Sequence, residues 1–200
     1  MHSDLNIALR ALDDGGEAWV RWTPEVADGD EASALVELVS TFQSKDTPAG
    51  EEAAHWLRDE ALDNHGSTVT WLLLDDRELH GYYAMASTSV RLSQRHRRRL
   101  LPRATHDLTP AQPASLIAWI AKSRDAPSGT GTKLFQHAVT SAIDVSEVQG
   151  NIAIVVDAYD AVTAQMWIDR YGFRRSVRDG QRTQEDWDDR PRLWAPLLDP

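Results

Sequence analysis

Residues 17–23 (EAWVRWT) set Ala18, Val20 and Trp22 against Trp19 and Arg21. That period of two predicts a strand, and the Pro24 that follows places it at an edge. The apolar spacing then lengthens. Ala34, Leu35, Leu38 and Phe42 line one side of a helix expected over 28–43, capped by Asp28 or Asp30. Residues 45–50 read as a loop. A second helix is expected over 51–62, with Ala54, Trp56, Leu57 and Ala61 inward and Asn64-His65-Gly66 as its stop. Alternation returns over 68–75 and 80–92 about the turn at Asp75-Asp76, which predicts an antiparallel hairpin. Residues 94–113, rich in Arg and Pro, read as an excursion. A strand over about 115–122 then feeds the turn Ser128-Gly129-Thr130-Gly131. A helix follows over about 129–146, with Leu134, Phe135, Ala138, Val139, Ala142 and Ile143 on one face. The unbroken apolar run 152–156 predicts a strand buried on both faces. A helix over 161–171 closes on Gly172, and 192–198 makes a last short strand. Residues 1–16 are weakly determined, and a single domain is expected over 17–200. The order implies an α/β fold, one sheet with helices on both sides.

The strand–turn–helix around Gly129 and Gly131 carries candidate chemistry. The first N–H groups of a helix lack intrahelical acceptors, and the helix dipole favours negative charge there. Glycines let a ligand approach the backbone closely, so this stretch reads as an anion site.

Composition narrows the classes. The chain has 200 residues, 42% of them hydrophobic, and a formal net charge of -10. That balance excludes general coating of nucleic acid but leaves room for a local basic patch. With no cysteine, there is no disulfide, thiolate metal site or cysteine nucleophile. No two histidines stand at metal-ligand spacing, so no metal is expected, and no Gly-x-Ser-x-Gly elbow occurs. The N-terminus lacks a signal-peptide pattern and no apolar run could span a membrane, so a cytoplasmic, membrane-free protein is expected.

The element order over 17–198 resembles the GCN5-related N-acetyltransferase (GNAT) fold, which has splayed fourth and fifth strands. That family's pyrophosphate turn is Gln/Arg-x-x-Gly-x-Gly/Ala, and Ala126-Pro127-Ser128-Gly129-Thr130-Gly131 is similar to it, with Ala126 at the leading position and Arg124 two residues earlier. Residues 154–158, followed by Trp167 to Phe173, resemble its fifth strand and the helix end A-x-x-F-Y-x-x-x-G-F. A narrower resemblance is to the GNAT toxins of toxin–antitoxin pairs, which acetylate the amino group of aminoacyl-tRNA. His55-Trp56-Leu57-Arg58 with Ala61, Gly81-Tyr82-Tyr83-Ala84 with Ser87 to Val90, Ile117 to Ala121, and Arg192 to Leu197 each resemble a landmark of those toxins, in order.

The resemblance implies an acetyl-CoA-dependent N-acetyltransferase acting on a primary amine, with charged tRNA as a possible acceptor. It also implies an antitoxin partner and a homodimer. Pyrophosphate would rest on the amides of Ser128, Gly129, Thr130, Gly131 and Thr132, with Arg124 as charge partner and Thr132 and Lys133 adding a hydroxyl and an ammonium. An N–H of Ile120, Ala121 or Lys122 would polarise the acyl carbonyl. The family's proton-donating Tyr falls at Ile168 here, which leaves Tyr171 and Tyr159 as neighbouring donors. His80, His106 and Asp157 are the candidate bases. Two alternatives stay open: a small-amine or protein acetyltransferase, and a domain that binds acetyl-CoA or a partner without turnover.

Arg91, Arg95, Arg97, Arg98, Arg99 and Arg103, with His96 among them, crowd one short stretch. They read as a patch for RNA phosphates, Arg95, Arg97, Arg98 and Arg99 foremost, as a solvated loop, or as a loop pairing with the acidic residues Glu185, Asp186, Asp188 and Asp189. The eight tryptophans read as packing, Trp119 included, although Trp119 stands where the toxins carry a basic residue.

Overall fold

The computed structural model describes residues 7, 16–29, 32–101, 111–176 and 190–197. Residues 1–15 bar Ile7, the cap candidate Asp30, Arg103, His106 and the acidic run 185–189 lie outside the described residues.

Strand β1 (Ala18–Trp22) is followed directly by a short helix, α1 (Pro24–Ala27). Pro24 is therefore not only a strand stop. Its missing N–H falls in the first turn, where helix N–H groups lack acceptors, and the Thr23 side chain caps that turn by accepting from Val26 N. Asp28 consequently ends α1 and does not open the next helix, α2 (Ser33–Ser40). Helix α3 (Pro48–His55) begins earlier than its acidic residues suggest, because Thr47-Pro48 repeats the same device: Thr47 Oγ1 accepts from Gly50 N at 3.1 Å. It runs on as a π-helical turn over Trp56–Glu60.

β2 (Thr68–Asp75) and β3 (Glu78–Arg91) form the expected antiparallel hairpin, turning at Asp76 and Arg77. Part of the Arg-rich excursion is helical: α4 (Gln94–Leu100) is capped by Ser93. Then come β4 (Ala111–Lys122), α5 (Thr130–Gln149), β5 (Ala153–Asp157), α6 (Ala161–Tyr171), β6 (Arg174–Arg175) and β7 (Arg192–Pro196). Gly172, with φ of 70°, supplies the left-handed residue that closes α6.

The strands form one seven-stranded mixed sheet, in the order β1-β2-β3-β4-β5-β7-β6. β4 and β5 run parallel, paired over Ala114–Ile117 and Ala153–Val156; β4 then continues to Lys122. The α/β reading with a mixed central sheet is met.

The chain packs as two compact units. One comprises Met1–Ala86 with Ala118–Ala138; its core includes Val20, Trp22, Leu35, Phe42, Trp56, Leu57, Leu72, Leu74 and Tyr82. Trp56 stacks with both Tyr82 and Trp119, so Trp119 packs as expected. The Tyr82 hydroxyl donates to Ala53 O at 2.6 Å, and burial pushes its pKa up. The other unit comprises Ser87–Ile117 with Val139–Pro200; its core includes Val90, Leu92, Ala114, Ala153, Val155 and Trp194.

Candidate functional site

The glycine turn lies in the first unit, at the start of α5. Pro127 O accepts from Thr130 N at 3.3 Å and from Thr130 Oγ1 at 2.9 Å. Gly129 O accepts from Thr132 N at 2.9 Å and Lys133 N at 3.1 Å. These bonds use the amides of Thr130, Thr132 and Lys133 internally. Among the described residues, the N–H groups of Ser128, Gly129 and Gly131 have no protein acceptor. Gly129 has φ of 95°, a conformation that favours glycine. Gly131 has no such backbone need, and a Cβ built on it meets nothing within 4 Å. Internal packing therefore gives no reason for a glycine at 131. Open space beside three unused N–H groups fits an anionic group lying against the backbone, so the residues present fit a bound pyrophosphate.

The neighbouring cations are engaged. Lys122 Nζ donates to Ala126 O at 3.0 Å, tying the strand end to the turn. The Arg124 guanidinium pairs with Asp46 and donates to Ser44 O at 3.4 Å; it lines a small cleft with Lys45, Glu51 and Arg58. Lys133 pairs with Glu17, and that bond holds its pKa up. Ile120 and Ala121 are half-buried on β4 beside Lys122. The approach of β3 here is tight: a Cβ on Gly81 would stand 2.7 Å from Ala121 O and 2.8 Å from Leu134 Cδ1.

His80 is the extra residue of a bulge in the β2–β3 pairing, where Gly81 faces Leu73 and Leu79 faces Leu74. It is buried, with Nδ1 3.9 Å from Asp75 and Nε2 3.8 Å from Glu78. Its carbonyl accepts from Ser123 N at 2.8 Å, which fixes β3 to the chain just after β4.

In the second unit, Asp157 stands exposed at the end of β5. Arg192 binds it in a fork, Nε to Oδ1 at 2.8 Å and Nη2 to Oδ2 at 3.0 Å. Tyr159 lies under the Arg190 guanidinium, 5.3 Å from the ring centroid. Tyr171, at the end of α6, contacts Trp167 and Arg170. Ile168 is half-buried and its carbonyl accepts from Gly172 N.

The arginines of the excursion divide. Arg95, Arg98 and Arg99 are exposed on α4, whereas Arg97 is half-buried. His96 sets its ring edge-on to Trp194 at 5.1 Å. Burial first, then Arg174, Arg95 and Arg99, hold its pKa below the usual histidine value. Sequence reasoning missed Arg174 and Arg192, whose roles depend on strand partners. It also missed the group around His137, where Nδ1 lies 2.7 Å from the Tyr83 hydroxyl and the ring stacks on Trp19 at 3.8 Å.

No family model matches the sequence, and no curated protein matches it. Solved structures do. A Tyr-to-Phe mutant of KacT superposes with a TM-score of 0.65 at 14% identity, over 91% of this chain and 95% of that one. AtaT complexed with acetyl-methionyl-tRNAfMet gives 0.64 at 16%, over 90% and 94%. A Tyr-to-Phe mutant of the toxin AtaT, bound to the C-terminus of the antitoxin AtaR and acetyl-CoA, gives 0.60 at 15%, over 90% and 93%. The chain has the GNAT fold.

Proposed function

We propose that this protein is an acetyl-CoA-dependent N-acetyltransferase, with the amino group of a charged tRNA as acceptor and an antitoxin as partner. One observation carries the coenzyme part: the three unused N–H groups of Ser128, Gly129 and Gly131, beside an open Gly131 on a GNAT fold. The acceptor and the antitoxin rest on the sequence landmarks and on AtaT structures solved with acetyl-CoA, with AtaR and with acetyl-methionyl-tRNAfMet. A homodimer and a cytoplasmic location belong to the same reading. Among the described residues, no helix is long and apolar enough to cross a membrane.

When bound, acetyl-CoA supplies an acyl thioester; the chain supplies placement and proton handling. The free amides orient the pyrophosphate, and Lys122 stiffens the turn through Ala126 O. The backbone of Ile120 to Lys122 is the candidate donor to the acyl oxygen. His80, between Asp75 and Glu78, is the candidate to take the amine's proton. Tyr171 and Tyr159 remain the candidates to return a proton to the leaving sulfur. Asp157 is the weaker base, because both of its oxygens already accept from Arg192.

A second reading, binding without turnover, is favoured by Ile168 at the position where the resemblance expects a tyrosine. Release of free CoA thiol separates the two. Purified protein mixed with acetyl-CoA and aminoacyl-tRNA should release thiol in step with tRNA acetylation. Saturable acetyl-CoA binding without thiol release from any amine would establish the second reading.

A further inference from the structure

We propose that α4 and the edge strand β6 form one composite RNA-phosphate surface, in which Arg174, on the Trp194 face, and Arg175, on the other face of that edge, join Arg95, Arg98 and Arg99. It rests on the tRNA reading above and assigns β6 a role that neither motif nor charge run suggests.

Three observations in the second unit carry it. First, the two elements share one anchor. Arg174 lies opposite Trp194 in the β6–β7 ladder, and its guanidinium sits 5.6 Å from the Trp194 ring centroid. His96 of α4 meets the same ring edge-on. A buried tryptophan thus brings α4 and β6 to one place. Secondly, β6 is fixed from its far end: Ser176 N donates to Arg192 O at 3.0 Å and Ser176 Oγ to Arg91 O at 3.3 Å. Thirdly, the charge has no counter-ion among the described residues. Among the described residues, no carboxylate pairs with Arg95, Arg98, Arg99, Arg174 or Arg175, although the chain carries 31 acidic residues against 21 basic ones.

Gathering like charges without counter-ions is unfavourable, and an anionic ligand relieves it. All five side chains are arginines, and none is lysine. The planar guanidinium fork matches phosphate oxygens two at a time, and stacking on a ring pre-orients it. A run of phosphodiesters along an RNA backbone satisfies such a surface, which spans a helix and a neighbouring strand.

The test measures binding of fluorescein-labelled, deacylated tRNA by anisotropy across a salt series. Wild type is compared with R174Q/R175Q, R95Q/R99Q and R174K/R175K, each checked for fold by circular dichroism. Each neutral pair should lower the slope of log K against log salt by about two. It should weaken binding roughly 25- to 60-fold at 0.1 M salt, the range set by single- and double-strand counterion release. The lysine pair should keep most of the slope. A wild-type slope in R174Q/R175Q overturns the composite surface while the tRNA reading stands. Absence of salt-dependent tRNA binding by wild type overturns both. Binding of polyglutamate in place of tRNA, with the same arginine dependence, overturns the RNA assignment in favour of an acidic protein.

Discussion

Replacing Gly131 with Glu should stabilise the free protein while weakening the acetyl-CoA binding proposed for this turn. Both signs follow from the geometry of the turn. A Cβ at position 131 meets nothing within 4 Å, so the added side chain meets no steric cost there. Loss of glycine from a helical position gains about 0.5–1 kcal/mol. A carboxylate in the first turn of α5, where the N–H groups of Ser128, Gly129 and Gly131 are unused, gains about 0.3–1 kcal/mol more. The sum, about 1–2 kcal/mol, raises Tm by roughly 2–8 °C for a chain of this size. Binding moves the other way. The new carboxylate occupies the space assigned to pyrophosphate. Repulsion of one unit charge at about 4 Å costs about 1 kcal/mol in water and about 4 kcal/mol at a partly shielded surface. That corresponds to a loss of roughly 5- to 1000-fold in affinity, before any steric exclusion. Differential scanning fluorimetry reads the first sign, and isothermal titration with acetyl-CoA reads the second. Gly131→Gln separates bulk from charge. A Gly131→Glu protein with raised Tm and unchanged acetyl-CoA affinity would refute the assignment of this turn to the coenzyme.

Gly81→Ala should have the opposite effect on stability: its Cβ would stand 2.7 Å from Ala121 O and 2.8 Å from Leu134 Cδ1, and such overpacking costs about 1–3 kcal/mol in a urea titration. Tyr82→Phe removes the hydroxyl that donates to Ala53 O, a carbonyl that also accepts from Trp56 N, and should cost about 0.5–1.5 kcal/mol by the same measurement. His96 has a folded pKa below its unfolded value near 6.5, so the unfolded chain takes up the proton first as pH falls. The stability it contributes is whole above pH 6.5 and is lost as pH drops through the folded value. Tm measured from pH 7.5 to 5.5 should therefore fall less steeply in His96→Gln; identical slopes would rule out this contribution.

The sheet was legible because its strands carry their own period. Val20 and Trp22 alternate inward on β1, and the run 152–156 is apolar because Ala153, Ile154, Val155 and Val156 of β5 are all buried. The helix boundaries shifted where one residue serves two purposes. Thr23-Pro24 and Thr47-Pro48 look like stops, yet each is a side-chain cap followed by a residue that does not need its N–H. Helix α4 was not legible because QRHRRRL has no apolar stripe; it is held by the Ser93 cap and by His96 against Trp194. The glycine turn was legible as a turn that opens a helix, but which amides stay unused is decided by Pro127 O and Gly129 O.

The cations show most clearly what a linear reading lacks. In sequence, Arg124 beside the glycine turn is a better anion ligand than Arg174 at the end of a short strand. In the fold, Arg124 is held by Asp46, Lys133 by Glu17, Lys122 by Ala126 O and Arg192 by Asp157. Each of these secures local structure: the loop before α3, the first turn of α5, the end of β4 and the β5–β7 pair. Three of those four cations are satisfied by carboxylates, and the acidic partner lies far away in the chain. Arg95, Arg98, Arg99, Arg174 and Arg175 are left without such partners among the described residues. Charge already neutralised within the fold gains little from an incoming anion, whereas uncompensated charge gains most. On the proposed reading the turn would bind with backbone N–H groups, and Arg95, Arg98, Arg99, Arg174 and Arg175, which have no carboxylate partner among the described residues, would meet an extended polyanion.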